Sequence, residues 1–78
     1  MSELISTYGQ RACGVNFNPD QRIDVADMKM AYAAIVDVLH QKRFATEDAE
    51  KKRLLSIAIT EAQTAQMWAV KAITWETE

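Results

Sequence analysis

Few side chains in this sequence could do covalent chemistry. Its single cysteine, Cys13, stands beside Gly14, and its single histidine, His40, falls near the far end of a helical stretch. A thiol nucleophile needs a base within hydrogen-bond reach, and nothing in the spacing brings these two together. Cys13 reads as a buried or idle thiol, and His40 as a surface residue suited to the negative end of a helix dipole. Asp24 and Asp27 lie three apart and read as a solvated face, not an acid–base pair. Gly9 and Gly14 do not make the G-x-x-x-x-G-K phosphate loop. One cysteine and one histidine fall short of the four ligands of a structural zinc site. These residues point away from an enzyme, and no cofactor is called for.

Binding chemistry is better represented. Lys29 sits between Met28 and Met30, at the border of two apolar stripes. Either its stem snorkels along apolar surface, or its ammonium meets a phosphate at a groove between subunits. Tyr8 has two readings as well: packing in the core, or stacking of its ring on a nucleobase. Arg11 follows about one turn later, within reach of the same ligand. Thr60, Thr64 and Lys71 share a helix face. They form a solvated polar strip or, repeated around a symmetric trimer, a small cationic well. Met67, Trp68 and Trp75 read as core.

These side chains must be carried by helices. Residues 53–75 contain no glycine or proline and are rich in Ala, Leu, Met and Gln, which lose little entropy on forming a helix. A helix over 47–75 would be roughly 43 Å long at 1.5 Å per residue, too long for one small core to bury. It carries one apolar line through Leu54, Ala58, Ala65, Trp68, Ala72 and Trp75, and a second through Leu55, Ile59, Ala62, Ala69 and Ile73. A mixed line runs through Arg53, Ser56, Thr60, Thr64, Met67 and Lys71. Before it, Asn18-Pro19-Asp20-Gln21 has the composition of a helix start, which predicts a helix over 19–43. Its stripes are Val25, Met28, Tyr32, Ile35 and Leu39, and Ile23, Ala26, Met30, Ala34 and Val38. A short helix over 2–11, capped by Ser2, precedes a loop at residues 12–17. Thr46 is the expected cap of the last helix. The short connection at 44–46 makes the two long helices antiparallel neighbours.

The chain is therefore one all-α domain over residues 1–78: a short N-terminal helix, then an antiparallel two-helix hairpin. At 78 residues and 49% hydrophobic content, it favours burial between subunits of a homo-oligomer. A single cysteine excludes an intrachain disulfide framework. A net charge of −2 with interspersed signs argues against duplex nucleic acid as a partner. No apolar run approaches the ~20 residues of a membrane span, so no membrane partner is expected. The opening MSELISTYGQ has an early Glu and no basic region, unlike a signal peptide, and the expected location is cytoplasmic.

The run RLLSIAITEAQTAQMWAVKA at 53–72, preceded by VNFNP at 15–19 and Met28-Lys29, resembles the small phage hairpin proteins that act as sponges against the CBASS and Thoeris defences. The resemblance extends over residues 8–75. It implies a small helical protein forming hexamers in the host bacterial cytoplasm. Such a protein would sequester cyclic di- or trinucleotides, or cyclic ADP-ribose isomers, without cleaving them, and so evade immunity. It implies an aromatic near the N-terminus that stacks on bases, a role for which Tyr8 is preferred over Phe17, and a helix-two lysine for phosphate, matching Lys29. It also implies a trinucleotide site near a threefold axis, with Arg53 and Thr60 as the nearest matches. At Ile59 the sequence departs from relatives that carry arginine directly before that threonine. The alternative function is a helical module that blocks a host protein through an apolar face. A purely structural oligomer would leave the same signature.

Overall fold

The computed structural model describes residues 6–75. Among them are three helices, α1 (Tyr8–Ala12), α2 (Ile23–Ala45) and α3 (Ala49–Ile73), and no strand. The expected cap Ser2 lies outside the described residues. The first described helix starts at Tyr8, because Thr7 and Gln10 close a capping box. Gln10 N–H donates to Thr7 Oγ1, and Thr7 N–H to Gln10 Oε1, each at 3.0 Å.

The second helix begins at Ile23, four residues later than the sequence suggests. Asn18 does satisfy a helix start, but by bridging. Its Oδ1 accepts from Arg22 N–H at 3.2 Å and its Nδ2 donates to Arg22 O at 2.8 Å. The intervening turn puts Gln21 at φ 51°, a left-handed conformation that a helix cannot contain. Arg22 is the N-cap. At the other connection Asp48, not Thr46, caps α3 by accepting from Lys51 N–H at 3.0 Å. Thr46 Oγ1 instead accepts from Asp48 N–H at 3.2 Å.

The hairpin is antiparallel. Arg22, at the start of α2, donates to Ile73 O at the end of α3 (3.2 Å), while Arg43 near the end of α2 donates to Ser56 Oγ early in α3 (3.1 Å). Arg22 also makes a forked pair with Asp24, at 2.7 and 3.1 Å. The guanidinium holds the Asp24 carboxyl below its ordinary range.

The core is small: Cys13, Ala33, Val36 and Ile59, flanked by Tyr8, Ala12, Val15, Tyr32, Leu39 and Ala62. On α2 the packed face is Val25, Lys29, Ala33 and Val36, which runs between the two stripes read from sequence and leaves Ile35 exposed. Ala33 centres this face where α1 comes closest. A Cβ on Gly9 would lie 2.1 Å from Ala33 O, and Gly9 N–H donates to Asp37 Oδ1 at 2.6 Å. Gln63 Nε2 donates to Ala12 O at 3.2 Å, tying the end of α1 to α3.

On α3 the second apolar line faces inward, with Ile59 buried. The first line faces out: Trp68 is 66% exposed, and Leu54 and Trp75 are exposed as well. Met67, Trp68 and Trp75, expected as core, are instead exposed on the single chain, because α2 covers only one side of α3. The molecule is a thin plate, 50 × 38 × 12 Å. No described helix is long and apolar enough to cross a membrane.

Candidate functional site: a groove between the N-terminal turn and the last helix

After α1 the chain folds back through a tight turn. Val15 N–H reaches Gln10 O at 2.9 Å, Phe17 N–H reaches Gly14 O at 2.9 Å, and Gly14 adopts φ +62°, which suits a residue without Cβ. The turn aims two carbonyls at Lys29. The Lys29 ammonium donates to Gly14 O at 3.1 Å and makes a short bond to Phe17 O. Lys29 is only 7% exposed, so its stem does not carry the charge out to open water. Two of the three ammonium donors are spent on backbone. The Phe17 ring is 72% exposed, with the Lys29 Nζ 5.3 Å from its centroid.

Beside this turn lies an open groove of about 440 Å³, lined by Arg11, Phe17, Lys29, Gln66, Met67 and Val70 among others. Three of the side chains singled out in the sequence, Arg11, Phe17 and Lys29, therefore meet in one place. Arg11 is exposed, and its Nη1 donates to Ser6 O at 2.6 Å. Cys13 lies beneath. Burial, and secondarily Asp37, push its thiol pKa up, partly offset by Lys29. Such a thiol is a poor nucleophile. Nothing in the sequence spacing marks Gln66. It is 5% exposed and sits on the inward face of α3, where the pattern reads as apolar.

Tyr8 is placed elsewhere. Its ring stacks on His40, centroids 4.2 Å apart and planes 10° from parallel, and Arg43 Cζ lies 5.6 Å from its centroid. Arg43 also reaches His40 Nδ1 at 3.0 Å. His40 is half-buried, not the surface residue expected from its place near a helix end. Contact between residues so far apart in sequence left no local signal, although the three-residue spacing of His40 and Arg43 was visible.

The remaining candidates lie along the exposed side of α3. Arg53 pairs with Glu50 at 2.6 and 3.0 Å, which lowers the Glu50 pKa and raises that of Arg53. Thr64 Oγ1 donates to Thr60 O at 3.1 Å. The Lys71 ammonium lies 5.9 Å from the Trp75 ring centroid. Along a helix, residues 53 and 71 are separated by roughly 27 Å, so one small ligand cannot touch both on the same chain.

No cluster of His, Cys, Asp or Glu able to hold a metal occurs among the described residues. Comparison with curated proteins and with solved structures returned no match. A family profile described as "Acb2/Tad1, hairpin domain" matches residues 10–74, a span that holds the turn, the groove and both long helices. The family is one of binding domains rather than catalysts. The chain belongs to the Acb2/Tad1 hairpin-domain family, the sponges that counter CBASS and Thoeris defence.

Proposed function

We propose that this chain is a phage anti-defence protein that captures cyclic oligonucleotide or cyclic ADP-ribose-type messengers in the host bacterial cytoplasm and holds them uncleaved. The observation that carries this reading is the groove in which the open Phe17 ring lies beside a cation, with Arg11 at the rim. A cyclic dinucleotide presents flat bases and two phosphates. An exposed aromatic supplies stacking surface, and Lys29 and Arg11 supply charge-assisted donors for phosphate. The geometry favours Phe17 as the stacking ring, because Tyr8 is already paired with His40. Tyr8 then shapes the wall of the site from behind. In this reading Arg53, Thr60 and Lys71 form a second, trinucleotide site only where symmetry brings copies together, as in a homohexamer. The outward line of Leu54, Trp68 and Trp75 supports such self-association, because apolar surface of this kind is stabilised by burial against another face.

Isothermal titration with cyclic dinucleotides, cyclic trinucleotides and cyclic ADP-ribose isomers tests the proposal. Tight binding with intact ligand recovered after denaturation is the expected outcome. Absence of binding across the panel returns the chain to the alternative of a module that blocks a host protein.

A further inference from the structure

The groove floor carries a polar group whose bonding is unspent. Gln66 is among the most buried polar residues described, at 5% exposure, yet its carboxamide makes no hydrogen bond to any described residue. No fully buried side-chain nitrogen or oxygen among the described residues lacks a partner. The Gln66 amide atoms therefore keep contact with open space, and the space they border is the groove shared with Phe17, Lys29 and Met67. A buried side chain whose amide still reaches open space is held in place to meet something that enters.

We infer that Gln66 reads the edge of an adenine base whose face stacks on Phe17. The inference rests on the sponge reading above and deepens it to a ligand class. A carboxamide offers one N–H donor beside one carbonyl acceptor. Adenine answers with its 6-amino donor beside a ring-nitrogen acceptor, the pairing that glutamine and asparagine make with it in nucleic-acid recognition. Guanine's N7/O6 edge is instead matched by a fork of donors such as arginine. Here the only guanidinium among the described residues lining the groove is Arg11, at the exposed rim and bonded to Ser6 O. The Gln66 amide is neutral and bidentate. Lys29 and Arg11 hold the charged part of the ligand, Phe17 holds the flat part, and Gln66 supplies discrimination.

The test is a cycle of two proteins and two probes. Wild type and Gln66→Met are titrated with 3′,3′-cyclic di-AMP and with the analogue built on unsubstituted purine, which lacks the 6-amino group. Wild type is expected to prefer cyclic di-AMP about tenfold, and Gln66→Met to bind both probes alike, with its thermal melt confirming a folded chain. A preference kept in Gln66→Met overturns the assignment. So does a wild type that does not distinguish the two probes, a result that stands even if the variant fails to fold. In both cases the sponge reading survives. A wild type that binds no cyclic nucleotide removes both.

Discussion

The Lys29 ammonium touches Phe17 twice: it donates to that residue's carbonyl oxygen, and it lies 5.3 Å from the centroid of its ring. A single cation thus fixes the backbone that presents the aromatic and sits near the π face the aromatic offers. Lys29→Met removes two charge-assisted bonds to backbone, each typically worth about 1.5–3 kcal/mol. Affinity for a cyclic dinucleotide is expected to fall at least roughly tenfold, or about 1.4 kcal/mol. Amide-exchange protection at Phe17 should fall too, without ligand present. Lost affinity with unchanged protection would mean that Lys29 acts on the ligand alone.

Phe17 and Tyr8 should separate cleanly. Because the Phe17 ring is mostly exposed, Phe17→Ala is expected to leave the melting temperature nearly unchanged while removing stacking worth about 1–3 kcal/mol of binding. Tyr8→Ala strips the ring from His40 and Arg43 and should lower stability first. Calorimetric melts beside titrations read both effects; the reverse pattern would restore Tyr8 as the base-stacking residue.

Gly9→Ala drives a methyl against Ala33 O, where the gap is 2.1 Å. The five-residue α1 must then lift away from α2, at a cost of roughly 1–3 kcal/mol by the usual scale of overpacking. A melt that matches wild type would show that α1 tolerates displacement.

Cys13 should be slow to alkylate. Its thiol is buried and its pKa raised, so at pH 8 iodoacetamide should react with the folded chain at least roughly tenfold more slowly than with the urea-unfolded chain. The same shift links to stability. A folded thiol that keeps its proton longer than the unfolded one contributes fully below the unfolded pKa, and that contribution fades as pH rises through the folded value. Stability should decline above pH 9 more steeply in wild type than in Cys13→Ala. Parallel declines would show that the folded thiol is not shifted.

Trp68→Glu places a charge in the outward apolar line of α3. Sedimentation at micromolar concentration is expected to show a multimer for wild type and a smaller species for the variant, with helix content retained by circular dichroism. A monomeric wild type would remove the hexamer from the proposal.

The long helices were legible because propensity and missing breakers act within a few residues, and a short link, expected at 44–46 and found at 46–48, dictated the hairpin. Their ends were less so. Asn18, Pro19 and Asp20 suit a helix cap and a turn equally, and the turn comes with the Asn18 bridge to Arg22 and the hold of Lys29 on the Gly14 and Phe17 carbonyls. The same holds at the site. That Arg11, Phe17 and Lys29 share a groove follows from a loop folding back. That Gln66 faces it follows from the rotation of α3 against α2. Neither leaves a mark in local spacing. The inward face of α2 was misplaced by about one position for a related reason. Ala33 is small enough to admit α1, and size complementarity between segments does not show in a hydropathy stripe.

The anchor of α1 on α2 has one more consequence. It is made by the Gly9 N–H on Asp37, the missing side chain of Gly9 and the Tyr8–His40 stack, and Arg11 takes no part in it. The groove rim can therefore be rewritten without loosening what holds it. Exchanging Arg11 for a neutral or acidic residue alters the charge that an incoming ligand meets while leaving this anchor intact. In the proposed site, position 11 is thus where drift, or a designer, can change the charge at the rim without disturbing the fold.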